Sequence, residues 1–432
     1  MPGTTALPPA RLLLRDACVI DTEPHPVALP HHDVLIEGDR IAAVGPRLPA
    51  DGAQVLDARG HIVLPGFVDT HRHLWQTPLR AAAVDTDLDG YLRHVLGELG
   101  PRLRPEDLRT ANLAGALECL DAGITTVQDF SHAQYTPDHT AAALDGLHAA
   151  GIRAVFGYGY PVFSPEARRT DDVRRAHALH TTSGATGLVS FALAPLGPSY
   201  SPIDTVTEDW RLARELGLRL AVHTGASPDT PRPVDALARA GLLGPDTLYV
   251  HGNSLPDDEL RRIADSGGTA SIAPAVEAAM GHGAPMINRL RAAGVTTGLG
   301  ADVVTTVAGD MFSLMRAALT TGHLCPDGER PTAATVLRMA TQDGAAALGL
   351  ADTIGSLRPG KQADLILLRA GAVNLAAHHD PVGAVVTCAH PGNIDTVLVA
   401  GRPVKQAGRL LNPHLTDTLT RLHDTAARLR HP

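Results

Sequence analysis

Two histidines one residue apart, His71 and His73, end the segment Pro65-Gly66-Phe67-Val68-Asp69-Thr70-His71-Arg72-His73. On a β-strand, residues i and i+2 face the same way, so both imidazoles reach one point in space, as two ligands of a metal ion must. A chain with 22 histidines among 432 residues contains about one His-x-His pair by chance, and two buried, hydrogen-bonded histidines are the bland account of it. Three further residues of ligand type end short apolar runs: His223 after Leu218-Arg219-Leu220-Ala221-Val222, His251 after Thr247-Leu248-Tyr249-Val250, and Asp302 after the run from Val295 to Ala301. Such Val-, Leu- and Thr-rich runs bounded by glycine read as buried parallel strands, and ligand-type residues at several strand ends predict one shared site.

The elements that must position them follow a βα alternation. Strand candidates are 125–130, 153–158, 188–193, 218–223, 248–251, 269–272 and 296–300, which make eight with the run ending at His71. Helices at 138–150, 204–216, 257–266 and 286–293 stop at or near glycines 151, 217, 267 and 294. Eight units favour a closed (β/α)8 barrel over an open doubly wound sheet. In a barrel, strands one, five, six and eight open onto the same C-terminal mouth, whereas an open sheet leaves their ends far apart.

The flanks differ. Residues 1–64 and 359–412 alternate in strand fashion with turns, as at Glu37-Gly38-Asp39-Arg40, and neither set can bury both faces alone. They are expected to pair into one small β-sandwich built from both termini, around a barrel of residues 65–358, with an amphipathic helix in 413–432.

The net charge of −9 and pI of about 6.2 argue against a nucleic-acid or membrane-surface partner. Cys18, Cys119, Cys325 and Cys388 have no paired spacing, so neither a disulfide framework nor a cysteine zinc site is expected. The N-terminus lacks a signal-peptide pattern and no apolar run reaches membrane-spanning length, so a cytoplasmic location is expected.

On these residues the chain resembles the amidohydrolase superfamily, in its branch of mononuclear deaminases and triazine hydrolases near S-adenosylhomocysteine, cytosine and guanine deaminases. The resemblance covers the Pro-Gly-x-x-x-x-His-x-His segment, the strand-five and strand-six histidines, the strand-eight aspartate and the return through Gly355-Ser356-Leu357-Arg358-Pro359-Gly360-Lys361-Gln362-Ala363-Asp364. It implies that His71, His73, His223 and Asp302 hold one divalent metal, Zn²⁺ or, with the same ligands, Fe²⁺. Asp302 would also serve as general base and acid, and His251 would contact the attacking water or the substrate. Two-metal relatives bridge their ions with a carboxylated lysine on a barrel strand. The only lysines here are Lys361 and Lys405, both outside the barrel strands, and strand four, Ser190-Phe191-Ala192-Leu193, offers no bridging carboxylate either.

One position departs from the branch. Its deaminases carry a glutamate three residues after the strand-five histidine, to move a proton to the substrate ring, and here the run is His223-Thr224-Gly225-Ala226. Glu277, in the 274–285 segment, is the best placed substitute, with a solvent-facing loop carboxylate as the plain alternative. Trp75 and Gln76 are expected substrate contacts for a planar N-heterocycle, the alternative for Trp75 being packing under a lid in 86–99. His282 and Asp310 are explained without function, as a turn histidine and the N-cap of the helix from Met311.

The expected activity is therefore displacement of an amino group or halide from a heteroaromatic ring by a metal-activated water. A cyclic amide hydrolase, a biosynthetic enzyme of specialised metabolism and a non-catalytic scaffold are the alternatives. The partner is a small molecule, and a homodimer would be in keeping with the branch.

Overall fold

The computed structural model describes residues 11–430 except 165–167, 183–186, 227–231 and 326–327. Eight parallel strands follow one another in sequence order around one sheet: Phe67–Arg72, Ile124–Ser131, Arg153–Gly159, Val189–Ala194, Leu220–Thr224, Thr247–His251, Thr269–Ile272 and Thr297–Leu299. A parallel bridge between Arg72 and Asp302 returns the end of the series to its start, so the sheet closes. This is the expected (β/α)8 barrel, and each later strand begins and ends within two residues of its expected position. Every residue of the first two strands is buried, as parallel strands covered on both faces require.

The helix stops were readable because they are steric. The helix Pro137–Ala150 ends on Gly151 at φ 74°, a left-handed conformation in which any Cβ meets the following carbonyl.

Strands from the two termini form one continuous nine-stranded sheet rather than two separate layers. Its junction is the antiparallel pair His61–Pro65 and Leu365–Arg369, in register from Pro65 opposite Leu365 to His61 opposite Arg369. Side-chain alternation at this junction serves two cores. Ile62, Leu64, Ile366 and Leu368 join the large core shared with the barrel. Val63, Leu365 and Leu367 join a second core with Leu12, Leu14, Val34 and Ile36. A buried ion pair, Arg153 Nε to Asp364 Oδ2 at 2.7 Å, pins the third barrel strand to this sheet. Among the described residues no helix is long and apolar enough to cross a membrane, and all four cysteines are free.

Candidate metal centre

Strands one, five, six and eight deliver their polar ends to one point at the mouth of the barrel. His71 Nε2 and His73 Nε2 each lie 3.3 Å from Asp302 Oδ1. His223 Nε2 is 3.2 Å from His71 Nε2, and His251 Nε2 is 3.7 Å from Asp302 Oδ2. Two overlapping triads, His71 with His73 and His223, and His71 with His251 and Asp302, have all their donor atoms within 4.8 Å of one another.

The hydrogen-bond partners fix which nitrogens carry protons. His73 Nδ1 is 2.7 Å from the carbonyl oxygen of Phe130, which can only accept. Nδ1 therefore carries a proton, and Nε2 faces Asp302. On the other side, His251 Nδ1 is 3.2 Å from Glu277 Oε1, an oxygen that also accepts the Ala273 N–H at 2.7 Å. Burial pushes the His71 imidazole down to about 4 and, with the histidines beside it, holds His223 well below the usual histidine range. Burial alone would raise the Asp302 carboxyl, but His71 and His73 beside it outweigh that and hold it well below the usual carboxylate range. The result is an ionised carboxylate beside two imidazoles, His71 and His223, that burial keeps neutral, the protonation states that metal ligation requires.

The backbone carries strain at this point. His251 has φ 69° and Asp302 φ 58°, left-handed values that cost a non-glycine residue about 1–3 kcal/mol. Asp302 is held there from both sides: its N–H donates to the His71 carbonyl at 2.8 Å, and its carbonyl accepts the His73 N–H at 2.9 Å. Behind the histidines, Asp69 accepts the N–H groups of His71 and Ala301, at 3.3 and 3.1 Å. Arg72 turns away from the mouth to Glu118 at 2.5 Å and the Gly309 carbonyl at 2.7 Å.

Three residues expected to contact the substrate are not among those lining the cavity above the cluster. After His73 the chain turns into a short helix, Leu74–Leu79, that buries both Trp75 and Gln76. Trp75 packs edge-on to His132 at 5.3 Å, and Gln76 Nε2 donates to the Tyr91 hydroxyl at 2.5 Å. Glu277 sits in the helix Pro274–Met280, 3% exposed, behind His251. None of the three lines the cavity above the cluster, whereas Ala226 does. The 86–99 segment forms two helical stretches, Leu88–Tyr91 and Leu92–Leu99, which place Leu88, Tyr91, Leu92 and Leu96 in the cavity wall. Asp310 caps its helix through Ser313 N at 2.9 Å, as expected, but His282 is part of the wall. Sequence reasoning passed over His132, which follows the second strand directly. Its position one residue past a strand end was the signal that could have found it.

The two lysines have outer roles. Lys361 Nζ pairs with Glu23 at 2.8 Å and Lys405 Nζ with Asp121 at 2.8 Å.

A closed parallel barrel with a histidine–aspartate centre at its C-terminal mouth, capped by a sheet from both termini, defines a class of barrel hydrolases. The sequence model described as the amidohydrolase family matches residues 62–404, and the chain belongs to that family. It is 31% identical over 417 residues to a 5-methylthioadenosine/S-adenosylhomocysteine deaminase of Symbiobacterium thermophilum, covering 92% of this chain and 94% of the relative. It is 30% identical to a 5'-deoxyadenosine deaminase of Methanothermobacter thermautotrophicus, covering 87% and 90%. Among solved structures, an adenosine deaminase from Xanthomonas campestris with bound zinc superposes with a TM-score of 0.87 at 27% identity, over 98% of this chain and 99% of that one. An atrazine chlorohydrolase from Arthrobacter aurescens superposes with a TM-score of 0.86 at 24% identity, over 96% and 100%, a likeness of fold alone.

Proposed function

We propose that this chain removes an amino group, or a halide, from a heteroaromatic ring by hydrolysis, with one divalent metal, zinc, held by His71, His73, His223 and Asp302. The observation that carries the reading is the convergence of the His71, His73 and His223 ring nitrogens on the ionised Asp302 carboxylate within one buried cluster. The deaminase relatives, and the zinc in the adenosine deaminase structure, support the same reading.

When bound, the metal would supply Lewis acidity that lowers the pKa of a water toward neutrality. The chain's own residues then handle protons. Asp302, kept ionised by its neighbours, accepts a proton at a carboxylate oxygen and returns it to the departing group, a contribution of about 10²–10⁴-fold for a well-placed acid–base residue. His251 is lowered by burial but raised further by the Glu277 hydrogen bond and Asp302, so Nε2 can hold a proton toward the oxygen on which charge develops. Glu277 fixes the His251 ring through Nδ1 and leaves Nε2 aimed at the mouth. The leucine-rich wall excludes water from the ring being attacked.

Elemental analysis of purified protein, beside a His71→Ala variant and an ammonia-release screen of aminated heterocycles, tests the proposal. It requires about one equivalent of metal, lost in the variant, and metal-dependent ammonia or halide release. Ring opening without ammonia would point instead to a cyclic amide hydrolase. A metal-free, fully folded and inert protein would point to a scaffold.

A further inference from the structure

The cavity above the histidine cluster has two chemically different halves. Its floor is the cluster itself. Its outer wall is Leu88, Leu92, Leu96, Val162, Leu196 and Met280. Among the described residues Asp302 is the one acidic side chain in the lining, and no Lys or Arg lines it. The remaining residues of the chain contain neither Lys nor Arg, so no basic side chain is at hand in the wall for a carboxylate or phosphate on the substrate. The Tyr91 hydroxyl accepts the Gln76 amide N–H and keeps its own proton to donate.

Of the polar side chains in the wall without assigned work, Tyr200 is 43% exposed to solvent and one is buried. His282 follows the helix Pro274–Met280 through Gly281, is 5% exposed, and has no hydrogen-bond partner at either Nδ1 or Nε2. Its ring stands perpendicular to that of His251, with centroids 4.8 Å apart. Burial, and then the neighbouring His251, push it down to about 4, so near neutral pH it offers one N–H and one lone pair. A desolvated donor and acceptor without partners are costly, and a ligand whose edge presents the complementary groups removes that cost. His132 is a second imidazole in the wall with an unpartnered Nδ1, but its ring lies 4.5 Å from that of His73 and belongs with the cluster.

We infer that the cavity takes an uncharged N-heteroaromatic ring bearing an apolar substituent, with His282 hydrogen-bonded to a ring nitrogen and the Leu88, Leu92, Leu96 and Val162 wall covering the substituent. This rests on the hydrolytic reading above and narrows its substrate class. The hydroxyls of a sugar, or a zwitterionic tail, would be stripped of water against leucines that cannot replace it. An alkyl or aryl group there is buried with gain.

The test uses the zinc-loaded full chain and four probes: 9-butyladenine, its 1-deaza and 3-deaza isosteres, and adenosine. Calorimetry reads binding, and ammonia release is followed in parallel. 9-Butyladenine is expected to bind at least about tenfold more tightly than adenosine, since the ribose hydroxyls lose their water against the apolar wall and the butyl group has none to lose. One deaza isostere is expected to bind about fivefold more weakly than its parent, the worth of one hydrogen bond. That ratio should fall to about one in His282→Ala and return in His282→Asn, whose amide again offers a donor and an acceptor. Because the ratio is taken within each variant, a general loosening of the protein does not move it. Adenosine binding as tightly as 9-butyladenine, a deaza ratio unchanged by His282→Ala, or no binding of any probe would overturn the proposal. The hydrolytic reading fails separately, if probes bind in the expected order and no aminated or halogenated heterocycle is turned over.

Discussion

His71 and Asp302 are joined twice. Their backbones share the hydrogen bond that closes the barrel, Asp302 N–H to the His71 carbonyl at 2.8 Å, and their side chains meet at 3.3 Å in the cluster. The seam of the barrel and the floor of the proposed site are the same few atoms. Ligand geometry is therefore fixed by a closed ring of strands rather than by a loop.

Asp302→Asn and Asp302→Ala should separate these two roles. Asparagine tolerates the left-handed backbone at φ 58°, and its amide can donate to the imidazole lone pairs. We expect Asp302→Asn to stay within about 1 kcal/mol of the metal-free native stability while activity falls about 10²–10⁴-fold. Alanine lacks that tolerance and should cost a further 1–2 kcal/mol or so in thermal unfolding. Equal stability of the two variants would show that the seam does not depend on this residue.

Removing the metal should destabilise the protein. With the cluster metal-free, the ring nitrogens of His71, His73 and His223 crowd one buried point with no ion to share. Zinc at about 100 times its dissociation constant should restore about 2.7 kcal/mol. The measurement is the melting temperature after chelation and again after zinc is returned. His223→Ala should abolish the zinc-dependent rise, and a rise that persists there would place the ion elsewhere.

The seam also predicts the effect of one glycine. A Cβ at Gly300 would lie 2.7 Å from the His71 carbonyl oxygen and 2.8 Å from the His71 Cβ, so Gly300→Ala must push the first strand away. A loss of about 1–3 kcal/mol is expected from overpacking, together with weaker metal retention because His71 moves with its backbone. Normal zinc content in a destabilised Gly300→Ala would mean that the ligands adjust independently of the seam.

What was legible in the sequence was what strand periodicity controls. His71, His73, His223, His251 and Asp302 lie at or just beyond strand ends, and the alternation of strands and helices brings those ends to one mouth. Trp75 and Gln76 were misplaced because spacing after His73 does not reveal that the chain enters a helix and turns them inward. Glu277 was expected near the substrate, but the helix that begins at Pro274 carries it behind His251. The apolar wall was out of reach, since Leu92, Val162 and Met280 come from segments whose approach depends on tertiary packing rather than on a local period. His282 looked like an ordinary turn residue for the same reason.

Glu277→Gln should weaken catalysis without unfolding the protein. Glutamine keeps an oxygen for the Ala273 N–H, now at 2.7 Å from Glu277 Oε1, but loses the charge that favours a proton on His251. A fall in kcat of about 10–100-fold is expected, in keeping with the loss of a residue that orients another functional group. Metal content should be unchanged, because Glu277 touches none of the four proposed ligands. Loss of metal would place Glu277, through His251, in the metal's own support.

The ion pair between Arg153 and Asp364 tests how far the outer sheet supports the barrel. Two guanidinium nitrogens meet the two carboxylate oxygens, Nε to Oδ2 at 2.7 Å and Nη2 to Oδ1 at 3.1 Å, and Oδ1 also accepts the Ala400 N–H at 2.7 Å. Both side chains are buried, so Arg153→Met strands a carboxylate away from water and should cost about 3–5 kcal/mol. Replacing both, as Arg153→Met with Asp364→Leu, removes the stranded charge and should recover part of that loss, leaving the Ala400 N–H unpaired at about 1–3 kcal/mol. Denaturant unfolding of the two variants decides the matter. If the double variant is no more stable than the single, the pair holds the sheet on the barrel through its geometry, since relief of the buried charge would then have gained nothing.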